Sequence, residues 1–337
     1  MSIREHTKKF AGLTVRDFGV GVDWCTLTDD EAAAEEGEEP AVKFLPLRSP
    51  EKSAYRISLE YDEADDGVAW EDKFKRLLAQ KHADRIGGIV VGAWQPDDSG
   101  KSSADIVKVL VKAAPKLPNL RAILLGDITS EECEISWITQ SDVGRLLKAY
   151  PRLQHLTVRG GAKLKFQVER HEHLKALIVQ TGGLSRAVVH QVFQADLPAL
   201  EHLELWLGTE TYGADTTVED IVPLLDGARF PKLKYLGLRD SEIADDIAGV
   251  LAGAPISGKI ETLDLSLGAL TDAGANALLS NRKALKKLKK LDVHHHFCSP
   301  AAVKQLKAAV KSVDAKQSQK PLEWGDGETR RFVSVSE

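Results

Sequence analysis

The sequence predicts an α/β solenoid, with a curved parallel sheet on the concave side, helices on the convex side and a non-repeating N-terminal cap. Three observations carry this expectation. A triplet of the form apolar-x-x-apolar-x-apolar recurs eight times, its first positions 21 to 34 residues apart. Helix-like stretches alternate with the triplets. The chain has 337 residues, more than one ordinary core holds, yet it shows one repeat instead of separate units.

The triplets are Ile86-Ile89-Val91, Leu120-Ile123-Leu125, Leu153-Leu156-Val158 and Leu174-Leu177-Val179, then Leu200-Leu203-Leu205, Leu233-Leu236-Leu238, Ile260-Leu263-Leu265 and Leu288-Leu291-Val293. Their last two apolar residues flank a variable one, which is the period of a strand with one buried face. Pro118, Pro151, Pro198 and Pro231 each stand two places before a triplet. Helices are expected at 141–150, 185–196, 216–228, 245–253, 271–280 and 299–313. Thr216 with Glu219 reads as a capping box, and Ser299-Pro300 as an N-cap followed by a first-turn proline. A strand–helix unit this short cannot bury its own apolar face, so successive units must stack. Strands stack about 4.8 Å apart and helices about 10 Å, which puts the sheet on the inside of the bend.

Residues 1–82 lack the repeat. Strands are expected there at 15–18, 43–47 and 55–61 and a helix at 70–81, forming a cap over the first sheet edge, with an acidic run at 29–39. The repeats occupy 83–315 and a tail follows at 316–337. The net charge of −5 conceals an asymmetry, because residues 282–320 hold eleven basic and two acidic residues, a local +9 that leaves −14 for the rest. Cys25, Cys133 and Cys298 are sparse and unpaired in spacing, which fits a reducing cytoplasm. No apolar run has the length of a membrane helix and the first residues are charged, so a cytoplasmic chain with no membrane partner is expected.

The segment Leu263-Asp264-Leu265-Ser266, followed by Leu270-Thr271-Asp272-Ala273-Gly274-Ala275, resembles a leucine-rich repeat of the ribonuclease-inhibitor type. More narrowly, residues 126–137, 203–212, 294–297 and 334–337 are similar to a family of bacterial cytoplasmic leucine-rich-repeat proteins with no defined activity. The resemblance implies genes set beside radical-SAM, ATP-grasp-like and sulfatase-like enzymes, and hence a recognition subunit for a modifying enzyme. One departure stands out. The asparagine that commonly follows each strand is replaced by Ile128, Gly161, Gly182, Gly208, Ser241, Gly268 and His296, so no amide ladder is expected.

Chemical motifs fare poorly. Ser99-Gly100-Lys101-Ser102-Ser103 after a strand imitates a phosphate loop, with Asp127 on the next strand as a Mg²⁺ ligand. Gln95 stands where the first motif glycine belongs, however, and Pro96, Asp97 and Asp98 remove an amide and add negative charge where an anion would sit. His294, His295, His296 and Cys298 suggest a metal, but neighbouring strand residues point to opposite faces. His171-Glu172-His173 is too short for a helical zinc motif. The lysines at 282–290 lack interleaved aromatics and read as a solvated cap, which argues against nucleic acid. No catalytic residue, cofactor or metal is therefore assigned. The competing expectations are an enzyme using Lys101 and Asp127 or the histidines, and nucleic-acid binding at the basic cap.

Binding is expected on the concave face. The strand template projects His155 and Arg159, then His202, Glu204 and Trp206, then Tyr235, Arg239 and Asp264 outward to solvent. Aromatic and arginine side chains together suit a protein or peptide partner. The inserts at 127–141 and 208–217, which carry Trp137 and Tyr212, follow strands at the same edge and form a rim.

Overall fold

The computed structural model describes residues 3–19, 46–96, 100–323 and 328–336. The expected strand at 43–47 and the acidic run at 29–39 lie wholly or mostly outside these residues, as does Cys25.

The elements follow the repeat. β1 (Lys9–Phe10) and β2 (Leu13–Asp17) form a hairpin, and β3 (Ser53–Ile57), α1 (Tyr61–Asp65) and α2 (Trp70–Ala79) complete the first part. β4 (Gly88–Val91), α3 (Ala104–Ala113), β5 (Ala122–Leu125), α4 (Gly144–Ala149), β6 (His155–Arg159), β7 (Ala176–Gln180) and α5 (Arg186–Gln194) come next. β8 (His202–Gly208), α6 (Val218–Ile221), β9 (Tyr235–Ser241), α7 (Ala244–Gly253), β10 (Thr262–Asp264), α8 (Asp272–Ser280) and α9 (Arg282–Leu285) continue the series. β11 (Lys290–Asp292), α10 (Pro300–Ala309) and β12 (Val313–Asp314) end it, and β13 (Leu322–Glu323) pairs separately with β14 (Thr329–Arg330).

β1 to β12 form one sheet in sequence order, parallel throughout except for the β1–β2 hairpin. This is a leucine-rich-repeat solenoid. The second and third apolar residues of every triplet are almost fully buried against the helices, in one core that runs the length of the array. β2 and β3 continue the parallel register into β4, so residues before 83 extend the same sheet.

Local signals set the helix ends. Ser185, Thr271 and Ser299 each accept a first-turn amide, with Pro300 opening α10. The capping box at α6 is Thr217 with Asp220, one residue later than expected, because Asp220 is the side chain that reaches back to the cap amide. α6 then passes into a 3₁₀ turn at Val222–Leu224 instead of running to 228, since Pro223 has no amide to continue it.

The glycines after the strands have a packing reason. A Cβ on Gly208 would strike the Gly182 carbonyl, one on Gly183 the Tyr212 carbonyl and one on Gly268 the Ser241 carbonyl. Where the asparagine ladder is absent, adjacent repeats approach backbone to backbone.

Candidate functional site

Along β3 to β5 the concave face is mostly apolar: Ala54, Val90, Ala122 and Leu124 pack with Phe10 as a separate buried cluster, and Arg56 of β3 stands in register with Val90. From β6 onward it turns polar. His202 of β8 stands opposite Tyr235 of β9, Glu204 opposite Gly237, and Trp206 opposite Arg239, while Asp264 of β10 lies on the far side of Gly237.

Six of the eight expected residues meet in one group, five of them linked by hydrogen bonds and His202 stacked on Tyr235. The Tyr235 hydroxyl lies 2.6 Å from Asp264 Oδ2 and 3.0 Å from Glu204 Oε2, its proton held between the two carboxylates. Arg239 donates from Nη1 to Glu204 Oε1 at 2.7 Å and from Nε to Ser266 Oγ at 2.9 Å, with Asp264 Oδ2 3.4 Å away. Trp206 Nε1 donates to Glu204 Oε1 at 2.7 Å, and the Arg239 guanidinium lies 5.1 Å from the Trp206 ring centre. The His202 ring stacks on Tyr235 with centroids 3.8 Å apart and planes 7° from parallel. Gly237 makes room: a Cβ there would meet the Tyr235 ring at 3.0 Å and Glu204 Cγ at 3.2 Å.

Electrostatics follow from this packing. Burial opposes a charge on Glu204, but His202, Arg239 and Trp206 together outweigh it and hold the carboxyl at about 2. Burial first, then the Glu204 and Asp264 charges, push the Tyr235 phenol well above its ordinary value. The next strand repeats the theme, for Asp292 accepts from Lys290 Nζ and His294 Nδ1, both at 2.7 Å.

The expectation that all these side chains face solvent is overturned for Trp206 and Arg159, which are 6% and 4% exposed. Trp206 is covered by Ile3, Ile135, Leu267 and Val335, three of them from segments that the strand template ignores. Arg159 donates to the Ile128 carbonyl at 2.8 Å and stands 3.6 Å from Asp127, so it braces the insert after β5. Glu204 and Asp264 are likewise buried, which leaves His202, Tyr235 and Arg239 as the partly open members. His155 lies apart from them, two strands earlier. It helps line a groove of about 410 Å³ with Leu13, Gly87, Asn119, Arg121 and Gln154 at the edge where strands begin. The insert at 127–141 sends Ile135 onto Trp206 and leaves Trp137 exposed.

The competing chemistry finds its residues otherwise engaged. Asp127 is fully buried and accepts from the Thr7 amide and hydroxyl and from Arg56 Nη1. Lys101 donates to Gln95 Oε1 at 2.7 Å, and Asp97, Asp98 and Ser99 lie outside the described residues. His296 accepts the Cys298 amide at 3.0 Å and reaches the Ala315 carbonyl, while His171 does the same for Leu174 and Tyr150. Among the described residues no three His, Cys, Asp or Glu side chains converge on one point suited to a metal.

Strand-template reasoning missed a charge ladder. The residue after each first triplet position reads Lys175, Glu201, Lys234, Glu261 and Lys289 across five successive repeats. Lys234 pairs with Glu201 at 2.6 Å and Lys289 with Glu261 at 2.8 Å. Aligning the repeats at that position would have revealed it.

A protein from Bacteroides fragilis, solved in a structural-genomics programme, shares 34% identity with a TM-score of 0.74, over 79% of this chain and 74% of that one. The chain belongs to that protein's family. Weaker matches are TLR13 in complex with ssRNA13, at 15% identity and TM-score 0.37 over 74% of this chain and 37% of that one, and an internalin from Listeria monocytogenes, at 14% and 0.30 over 70% and 82%. No family model and no curated protein matches the sequence. Among the described residues no helix is long and apolar enough to cross a membrane.

Proposed function

We propose that this protein is a non-enzymatic recognition scaffold that takes a protein or peptide partner on the open part of its concave face. His155, His202, Tyr235 and Arg239 make the contacts. Glu204 and Asp264 hold the last two in place, and Trp206 and Arg159 support from beneath the covered edge. The observation that carries this is the Tyr235 arrangement: a partly open ring stacked on His202, with its hydroxyl tied down by buried carboxylates. Such a surface loses little side-chain freedom on binding, which favours affinity. Its mixed charge suits a folded or peptide partner better than a phosphate backbone. The family's implied gene setting extends the proposal to an accessory subunit of a modifying enzyme.

Affinity capture from the source cells tests it, using wild type, the pair Tyr235→Ala and His202→Ala, and the triple Lys286→Ala/Lys287→Ala/Lys289→Ala. A partner retained by the lysine variant and lost by both concave variants supports the proposal. The reverse pattern moves binding to the basic cap.

A further inference from the structure

After the last strand of the sheet, every described residue from Lys320 to Phe332 is exposed. Burial then returns over four residues and alternates. Val333 and Val335 are 4% and 3% exposed, whereas Ser334 and Ser336 are half-buried. A period of two is how an extended peptide lies on a surface.

That surface is the covered edge of the concave face. Val335 sits among Ile3, Ile135, Trp206 and Leu267. Its amide donates to Asp240 Oδ1 at 3.0 Å, and the Ser334 amide donates to the Leu267 carbonyl at 2.7 Å. Ser336 lies against Gly182, where the three atoms nearest to an added Cβ all belong to Ser336. Side-chain pockets for alternate residues, with backbone amides bonded between them, are the means by which proteins hold extended peptides.

We propose that this edge is a peptide groove, that residues 333–336 occupy it in cis, and that an extended segment of the partner, with small apolar residues alternating with polar ones, takes their place. The proposal rests on the reading of the concave face as a recognition surface and adds the ligand class. The chain that joins this segment to the sheet, exposed at 320–323 and 328–332, acts as a tether, so the cis segment competes at an effective concentration on the order of millimolar. A free peptide with the same contacts is therefore held off. A partner that also grips His202 and Tyr235 overcomes the competition, and departure of the cis segment opens the face of Trp206.

The test uses the full chain and a fluorescent peptide with the sequence of residues 331–337. In Val335→Asp the cis segment leaves, and the peptide should bind at least about tenfold tighter than to wild type. Adding Gly182→Ala should abolish that gain, because the methyl group takes the place of Ser336. In wild type, the amides of Ser334 and Val335 should exchange with solvent through a local opening, well before those of β8. The proposal is wrong if Val335→Asp binds no peptide, if it binds no better than wild type, or if these amides exchange only with global unfolding. Should Val335→Asp fail to fold, Val335→Ser and the exchange measurement decide. Peptide binding that persists while the Tyr235→Ala capture is unaffected would keep the groove and remove the recognition reading.

Discussion

Gly237 stands between Glu204 and Asp264 in the register, and its missing Cβ lets the Tyr235 ring lie across the sheet to both carboxylates. Gly237→Ala needs no unusual backbone angle, so what resists it are the contacts of 3.0 Å to the Tyr235 ring, 3.2 Å to Glu204 Cγ and 3.3 Å to the Tyr235 hydroxyl. Moving the ring would leave two buried carboxylates short of a donor, and urea melts should show a loss of about 1–3 kcal/mol. Glu204 and Asp240 titrate in opposite senses. Glu204 is held at about 2, below its ordinary 4.5, so its stabilising effect is present above pH 4.5 and fades as pH falls toward 2. Asp240 is pushed up to about 8 from 3.8 by burial, opposed by the Val335 amide and the Arg239 charge. Its effect is full below pH 3.8 and is lost as pH rises through 8. Wild type should therefore lose stability from pH 5 to 8.5 relative to Asp240→Asn; parallel melts of the two proteins over that range would refute this.

At the scale of the element, capping chemistry and strand-edge charges do different work. The Thr217–Asp220 box holds α6, a helix of only one turn, and Thr217→Ala should cost about 1 kcal/mol in thermal or urea unfolding. The ladder of Lys175, Glu201, Lys234, Glu261 and Lys289 is exposed, so each pair contributes at most about 1 kcal/mol. Its use is in register, since a slip of one repeat would bring like charges side by side. Lys234→Glu places three acids in a row, and the resulting loss of up to about 1 kcal/mol should shrink in about 1 M salt. A loss unchanged by salt would point to packing of the lysine stem instead.

For the whole molecule, one core continuous from Phe18 to Val310 means that damage in one repeat is felt by its neighbours. Leu203 and Leu236 are fully buried and directly paired across β8 and β9. Aspartate at either site would bury an unpaired charge. Both variants should melt far below wild type, with amide exchange accelerated first in β7 to β10. The closure of the concave edge by residues 3–8, by the insert at 127–141 and by residues 333–336 also belongs to this scale, because each segment is far in sequence from the strands it covers.

The solenoid was legible because strand and helix periods are local: each triplet carries its own buried face, and Ser185, Thr271 and Ser299 carry their own caps. The polar set at His202, Glu204, Tyr235, Arg239 and Asp264 was legible for the same reason, since parallel register follows from repeat alignment. Exposure was not. Whether Trp206 faces water depends on Ile3, Ile135 and Val335, more than 60 residues away in sequence, and no period in β8 encodes them. The same holds for Asp127, whose partners Thr7, Arg56 and Arg159 come from three separate segments. Local periodicity decides which side of a strand is buried against its own helices; only the folded chain decides what returns to cover the other side.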